Sequence, residues 1–424
     1  MVSPTRGGRV IEIGAVADDF TGATDLAIAL REQGFRAVVS IEDAPLDPQE
    51  LGDADAVVVA LKTRTAPVAT AVAQTVRAVA ALEAVDARQF YVKYCSTFDS
   101  TPEGNIGPIL DAVLDELGEQ RTVVVPSFPD NGRTVYRGHL FVGEQLLEHS
   151  PMRHHPLTPM TQSRLRDILT PQTGREIHEI AAPTVWAGPT ALRSALASSP
   201  AGYIVVDAIT DADLETIATA VSDWRVVSGG AGLALGMTGP RPGMLSPIEP
   251  VPGRRLIVCG SASAKTRAQI AQASETLPTR KLDIEAVATA PESVIAETVS
   301  WLQSLATDEI PVVYSVGSLD DIRRGSEGHT VAGHIEEVLS EIVSRAVESL
   351  GVTQVIVAGG ETSGAVVQRL GIQRLHIGPR VAPGVCWSAA GTAHGPLTIA
   401  LKSGNFGSED MFTTAWRALD DLTD

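Results

Sequence analysis

Short apolar runs and longer amphipathic stretches alternate along most of the chain. Residues 10–16, 37–41, 56–61, 90–94 and 122–125 are rich in Val, Ile, Ala and aromatic side chains and too short for helices, so they predict buried strands. Between several of them, 66–84 and 106–117 carry apolar residues at three- and four-residue spacing and predict helices. The logic repeats later, with strands expected at 256–259, 312–316, 355–358 and 397–401 and a long helix at 331–349. Alternation of this kind favours parallel, doubly wound sheets. The expected fold class is therefore α/β, with two doubly wound domains whose mainly parallel sheets face each other across a cleft. From Gly239 to Arg254 runs GPRPGMLSPIEPVPGR, dense in Pro and Gly and without apolar periodicity, which reads as a linker. The expected division is a first domain at 1–240, a linker at 241–254 and a second domain at 255–424.

If the strands are parallel, ligands belong at their carboxyl ends, and the loops there are the ones with chemistry. AVADDFTGATD (Ala15 to Asp25) sets Asp18 and Asp19 beside Thr21 and Gly22 at a helix start, giving carboxylates together with free backbone N–H donors. The plain alternative is that one acid caps the helix and the other is solvated; a surface cap rarely needs two acids at a strand end. KYCSTFDSTPEGN (Lys93 to Asn105) adds Lys93, Ser96, Thr97, Asp99, Ser100 and Thr101, a set suited to a small polyhydroxy anion. After residue 125, the stretch with Pro126, Pro129, Asn131 and Gly132 reads as a long structured loop presenting Arg133 and Arg137, cations for an anion or for surface acids.

The carboxyl half offers glycine turns. VIVAGGETSGAVVQRLG ends a strand at Ala358 and continues through Gly359, Gly360, Glu361, Thr362, Ser363 and Gly364 into a helix, a turn that can present several N–H groups to one phosphate, with Thr362 and Ser363 as caps or donors. LIVCGSASAKTRAQI imitates a P-loop through Gly260, Ser261, Ser263, Lys265 and Thr266. Its spacing is one residue short and Ala264 stands where the second glycine belongs, which argues against a Walker A. LKSGNFG places Gly404 and Gly407 after another strand. VVSGGAGLALG has glycines spaced one residue too widely for a dinucleotide loop. His139, His154 and His155 lie close in sequence without the spacing of a zinc motif, so no protein-held metal is assigned to them.

Composition narrows the classes. A 424-residue chain should bury about 75% of its unfolded surface and needs no covalent staple. Cys95, Cys259 and Cys386 are widely separated with no CxxC pair, as expected of a reducing compartment, and the cytoplasm is the default location. No charge-free run is long enough to span a bilayer, and Glu12, Asp18 and Asp19 are unlike a signal segment. A formal charge of −18 disfavours nucleic acid as a partner and requires that any anionic substrate be held by local cations and helix N-termini.

Taken in order, ADDFTGATD, KYCSTFDSTPEGN, PSFPDNGRTVYRGHLFVG, HPLTPM, GGETSGAV and LKSGNFG resemble the four-carbon acid sugar kinase family over almost the whole chain. The STFDSTPEGN form of the second loop is closest to its 3-oxo-tetronate branch rather than to the D-threonate and D-erythronate branches, which typically carry a KxDSTLRGN-like loop. The resemblance implies a substrate-binding amino domain, a nucleotide-binding carboxyl domain, and Mg²⁺-dependent phosphorylation of a C4 hydroxyl by ATP. It assigns ATP contacts to the Ser261/Ser263 loop, to Gly360, Glu361, Thr362 and Ser363, and to the Gly404/Gly407 loop. For such a transfer Asp19 is the expected group to orient or deprotonate the hydroxyl, with Asp18 supporting it or holding Mg²⁺ through water. Thr21, Lys93, Ser96, Asp99, Ser100 and Arg133 would hold the sugar acid. The partners expected are a small sugar acid and ATP, with a homo-oligomer left open. Two readings of other classes compete: a nicotinamide-dependent oxidoreductase, which should show a proper GxGxxG, and a non-catalytic sugar-acid sensor, which would bind one ligand and release no ADP.

Overall fold

The computed structural model describes residues 10–42, 44–154, 158–243, 248–317 and 329–422. The chain divides into two compact units, residues 1–246 and 247–424. His155 and linker residues 244–247 lie outside the described residues.

In the first unit, β1 (Ile11–Ala17), β2 (Ala37–Ile41), β3 (Ala56–Ala60), β4 (Ala87–Lys93), β5 (Arg121–Val125), β9 (Ile177–Ile180), β10 (Gly202–Val206) and β11 (Val226–Gly229) form a sheet ordered β2-β3-β1-β4-β11-β5-β10-β9. Every pairing in it is parallel. The central strands are buried on both faces, which is why they read as continuous apolar runs rather than as alternations. Helices Val68–Ala84 and Ile106–Glu116 cover one face, packing Val79, Leu82, Leu110 and Val113 on Val57, Phe90 and Val92. Strand order reverses around β1, whose neighbours are β3 and β4, so the β1 loop stands at a topological switch point.

The stretch expected to be a long loop after β5 is an antiparallel ribbon instead: β6 (Arg133–Tyr136), β7 (His139–Val142) and β8 (Gln145–Leu146). Its hairpin turns on Arg137 and Gly138, both at positive φ (53° and 71°), the geometry that matches the twist of paired strands. Asp207 secures that turn by accepting from both amides, at 2.7 and 2.9 Å. Arg137 is thereby a turn residue.

In the second unit, β12 (Arg254–Cys259), β13 (Thr279–Lys281), β14 (Val312–Tyr314), β15 (Val352–Ala358), β16 (Arg374–Ala382), β17 (Val385–Thr392) and β18 (Gly395–Lys402) are ordered β13-β14-β12-β15-β18-β17-β16. The strands from β13 to β18 in that order are parallel, while β17 pairs antiparallel with both β18 and β16. The helix His329–Leu350 brackets the expected 331–349. Just before β12 the chain is anchored, because Ile248 is buried in this unit's core and Val251 N–H donates to Thr398 Oγ1 at 2.9 Å. No described helix is long and apolar enough to cross a membrane.

Candidate functional site

Five neighbouring strands of the first unit, β3, β1, β4, β11 and β5, end side by side, and their loops carry the candidate residues. Asp19 is the N-cap of the helix Phe20–Glu32, its Oδ1 accepting from Gly22 N–H at 2.6 Å. The sequence left one acid free. The fold instead joins both acids to Arg64, which follows β3: its Nε and Nη2 donate to the two Asp18 oxygens at 2.8 Å each, and its Nη1 pairs with Asp19 Oδ2 at 2.8 Å. Burial opposes the charge of Arg64, yet Asp18 and Asp19 outweigh it and raise its pKa well above the ordinary value. Asn105 fixes the Arg64 segment by donating from Nδ2 to Thr63 O at 2.6 Å and Ala66 O at 2.8 Å. Beneath this pair lies a cavity of about 20 Å³, lined by Asp18, Arg64, Lys93, Asp99 and Asn105, with room for one water.

Lys93 ends β4 as a buried cation whose Nζ donates to Tyr94 O at 2.9 Å. A side chain at Gly22 would come within 3.2 Å of that Nζ, so Lys93 reaches the start of the helix that Asp19 caps. Thr21 is half-buried in the first turn of the same helix, and Ser96 is half-buried beside Gly230. Among the described residues, five buried polar atoms of these loops have no partner within the protein: Asp99 Oδ1, Ser100 Oγ and Asn105 Oδ1 after β4, and Ser127 Oγ and Arg133 Nε after β5. Buried polar atoms are nearly always satisfied, so a set of them at strand ends points to a ligand or ordered water. The thiol of Cys95 is pushed up to about 11 by burial, with Asp99 adding to the effect, so it is protonated at neutral pH and no nucleophile. The glycines of VVSGGAGLALG serve packing: side chains at Gly232 and Gly236 would collide with the carbonyls of Ser127 and Leu214.

In the second unit, the loops after β12, β15 and β18 meet, because those strands are adjacent. Gly260 and Ser261 N–H groups donate to Ala358 O at 3.0 and 3.1 Å, and Gly359 N–H donates to Lys402 O at 2.9 Å. Ser263 caps the helix Ala264–Ala273 while its Oγ donates to Gly404 O at 2.6 Å, and a side chain at Gly404 would strike Ser261 Oγ. The turn expected to run from Gly359 to Gly364 is shorter: Gly359 is the N-cap at φ 135°, and the helix Gly360–Arg369 begins at once. Thr362 and Ser363 are therefore buried in its first turn rather than capping it, Ser363 Oγ without a partner, while Gly360 and Glu361 are exposed at its positive end. Gly407 also needs positive φ (85°). Lys265 faces Glu409 at 3.9 Å, unlike a P-loop lysine, and Lys402 is buried among the loops.

Sequence reasoning missed Arg64 and Lys402. The rule that singled out the loops after 10–16 and 90–94 applied equally to the loop after 56–61, where Arg64 stands. Lys402 lies inside LKSGNFG, but nothing local distinguishes a buried lysine from a solvated one.

A family described as a sugar-binding N-terminal domain matches residues 13–237, and one described as a nucleotide-binding C-terminal domain matches residues 256–412. The chain is 42% identical to the 3-oxo-tetronate kinase of Burkholderia multivorans, covering 96% of this chain and 97% of that protein. It is 40% identical to the 3-oxo-tetronate kinase of Salmonella typhimurium, covering 96% and 99%. A crystal structure from Salmonella typhimurium LT2 superposes with a TM-score of 0.87 at 39% identity, covering 96% of this chain and 99% of that one. One from Haemophilus influenzae superposes with a TM-score of 0.81 at 38% identity, covering 96% and 100%.

Proposed function

The chain belongs to the family of the 3-oxo-tetronate kinases, and from that premise we propose that it transfers the γ-phosphoryl group of ATP to the C4 hydroxyl of a 3-oxo-tetronate, giving the 4-phosphate and ADP. The observation that carries the reading is the Arg64-bound pair of acids at the switch point, with unpartnered polar atoms of Asp99, Ser100, Ser127 and Arg133 on the loops after the neighbouring strands β4 and β5. Such a surface suits a small polyhydroxy anion. Lys93 and Arg133 meet the substrate carboxylate, while Thr21, Ser96, Asp99 and Ser100 meet its oxygens.

Phosphoryl transfer is mostly positioning and charge stabilisation, and the acceptor oxygen must approach phosphorus in line. Asp19, a third exposed and fixed by its cap and by Arg64, is the acid able to face the C4 hydroxyl and orient or accept its proton. Asp18 gives both oxygens to Arg64, so it supports Asp19 and would meet Mg²⁺ through water. Gly360 and Glu361, at the positive end of a ten-residue helix, face the phosphates, with Thr362 and Ser363 in the same turn. The Ser261/Ser263 loop and the Gly404/Gly407 loop hold the rest of the nucleotide. Among the described residues no three His, Cys, Asp or Glu side chains form a metal-holding group; a Mg²⁺ ion that comes with a nucleotide is held chiefly by phosphate oxygens and water. Mg²⁺, when bound, supplies neutralising charge to those oxygens.

An ADP-release assay over four-carbon acids tests this reading. Release should require ATP and Mg²⁺ and be greatest with a 3-oxo-tetronate. Comparable kcat/KM on D-threonate or D-erythronate would overturn the substrate and leave the kinase standing, whereas ligand binding without ADP release would leave only a sensor.

A further inference from the structure

Lys402 ends β18 with 1% of its surface exposed, deeper than any single-sign charge is ordinarily tolerated without a partner. Its Nζ donates to Thr266 Oγ1 at 3.0 Å and to Gly404 O at 3.2 Å, both neutral. Among the described residues no carboxylate lies within ion-pair distance of it. Gly404 O also receives Ser263 Oγ at 2.6 Å and Thr266 Oγ1 at 2.8 Å, so three donors converge on one carbonyl of the loop after β18. Of these donors only Lys402 can carry charge, so its cation lies against the loop of Gly404, which also approaches Ser261.

The other charges on the elements around Lys402 leave it uncompensated. On β12 it faces Cys259, whose thiol burial pushes up to about 12, and the Phe412 ring centroid is 6.0 Å away. Lys265, on the helix that carries Thr266, is turned to exposed Glu409; Arg267 on that helix donates to Ala262 O. Asp410 is half-buried before the Phe412 helix, and Glu361, after β15, is exposed.

We propose that Lys402 is a positioning residue of the nucleotide loops, that a bound nucleoside triphosphate supplies the negative charge missing around it, and that nucleotide binding is therefore coupled to proton uptake at this side chain. The inference rests on the assignment of the Ser261 and Gly404 loops to ATP. Its physical basis is that burial lowers the lysine to about 8 in the free protein, with Cys259 opposing weakly, while phosphates next to the loop favour the charged form. Thus below pH 8 the ammonium is already present and binding takes up little. Above pH 8 the free protein holds a neutral amine, and each ATP bound brings a proton with it. Linkage then requires affinity to fall as pH rises, by up to roughly tenfold per pH unit until the bound-state value is reached.

The test is calorimetric titration of the full chain with Mg·ATP, without sugar acid, in buffers of differing ionisation enthalpy. At these pH values the phosphate groups, whose last ionisation lies near 6, contribute little. The parent should take up close to one proton per ATP at pH 9 and almost none at pH 7. Lys402→Met should show no uptake at pH 9 and a flat dependence of Kd on pH; Lys402→Arg, charged throughout, should also be flat. Tight ATP binding at pH 9 with no uptake by the parent would overturn the proposal while leaving the nucleotide site intact. Absence of ATP binding at pH 7 would instead remove the nucleotide assignment and this inference together. Should Lys402→Met fail to fold, the parent's own proton count decides. Urea unfolding of the nucleotide-free parent gives a second reading: because the folded-state value is depressed, this lysine's contribution to stability is lost as pH falls through about 8 and regained toward 10. A parent whose stability, corrected by Lys402→Arg, shows no such rise would also count against the proposal.

Discussion

Within the first unit the buried charge is balanced by the chain itself, since all three Arg64 nitrogens are engaged by Asp18 and Asp19. Within the second unit Lys402 is buried among neutral oxygens only. The first arrangement sets the acids in place before any ligand arrives, because a bidentate guanidinium holds a carboxylate in both direction and distance. The second leaves a charge for the ligand to complete. A small sugar acid whose one hydroxyl must meet phosphorus in line demands fixed geometry, whereas a triphosphate brings charge of its own to the loops that would hold it.

The sharpest way to break this contrast is at the acid pair. Asp19→Asn retains an N-cap acceptor but removes the charge proposed to face the hydroxyl. kcat should fall by roughly 10² to 10⁴ with little change in ATP affinity, the loss expected for an acid/base group. An unchanged kcat would move the role to Asp18, Asp25 or Asp99. Next in size, Arg64→Met strands two carboxylates, Asp18 with only 10% side-chain exposure, and should cost about 3–5 kcal/mol of unfolding free energy. Adding Asp18→Asn to that variant should restore part of the loss. Urea titrations showing the single variant as stable as the parent would deny that the first unit depends on its internal charge balance.

The smallest effect expected is at the exposed end of the helix Gly360–Arg369. Gly360 is not at positive φ; Gly359 is, at 135°, so Gly360→Val should fold and merely place a branched side chain where phosphate oxygens approach the backbone. ATP should then lose its thermal stabilisation, about 2.7 kcal/mol at 100 times Kd in the parent, while stabilisation by the sugar acid persists. Equal loss of both would mean that the two units do not divide the ligands.

Much of this was legible locally. The strands ending before Asp18, Tyr94, Gly260 and Gly359 follow from short apolar runs that no solvated segment would tolerate, and their loops follow from Gly, Ser, Thr and Asp at the ends of those runs. The start of the helix at Gly360 was not, because Gly and Thr favour a turn by propensity; packing of Val366 and Val367 into the core decided for helix. Nor was the ribbon at Arg133–Tyr136, His139–Val142 and Gln145–Leu146, whose strands are too short to read against the prolines before them.

The order of elements and the loops that carry chemistry can be read along the chain, since both depend on neighbouring residues. How charges pair cannot. Arg64 meets Asp18 across 46 positions because β3 lies beside β1 in the sheet. Lys402 is buried because β18 lies between β15 and β17 with Phe412 over it, and its partner Thr266 comes from a helix 136 positions away. Coulomb and desolvation energies depend on distance and burial in space, and neither is written in the spacing of residues along the chain.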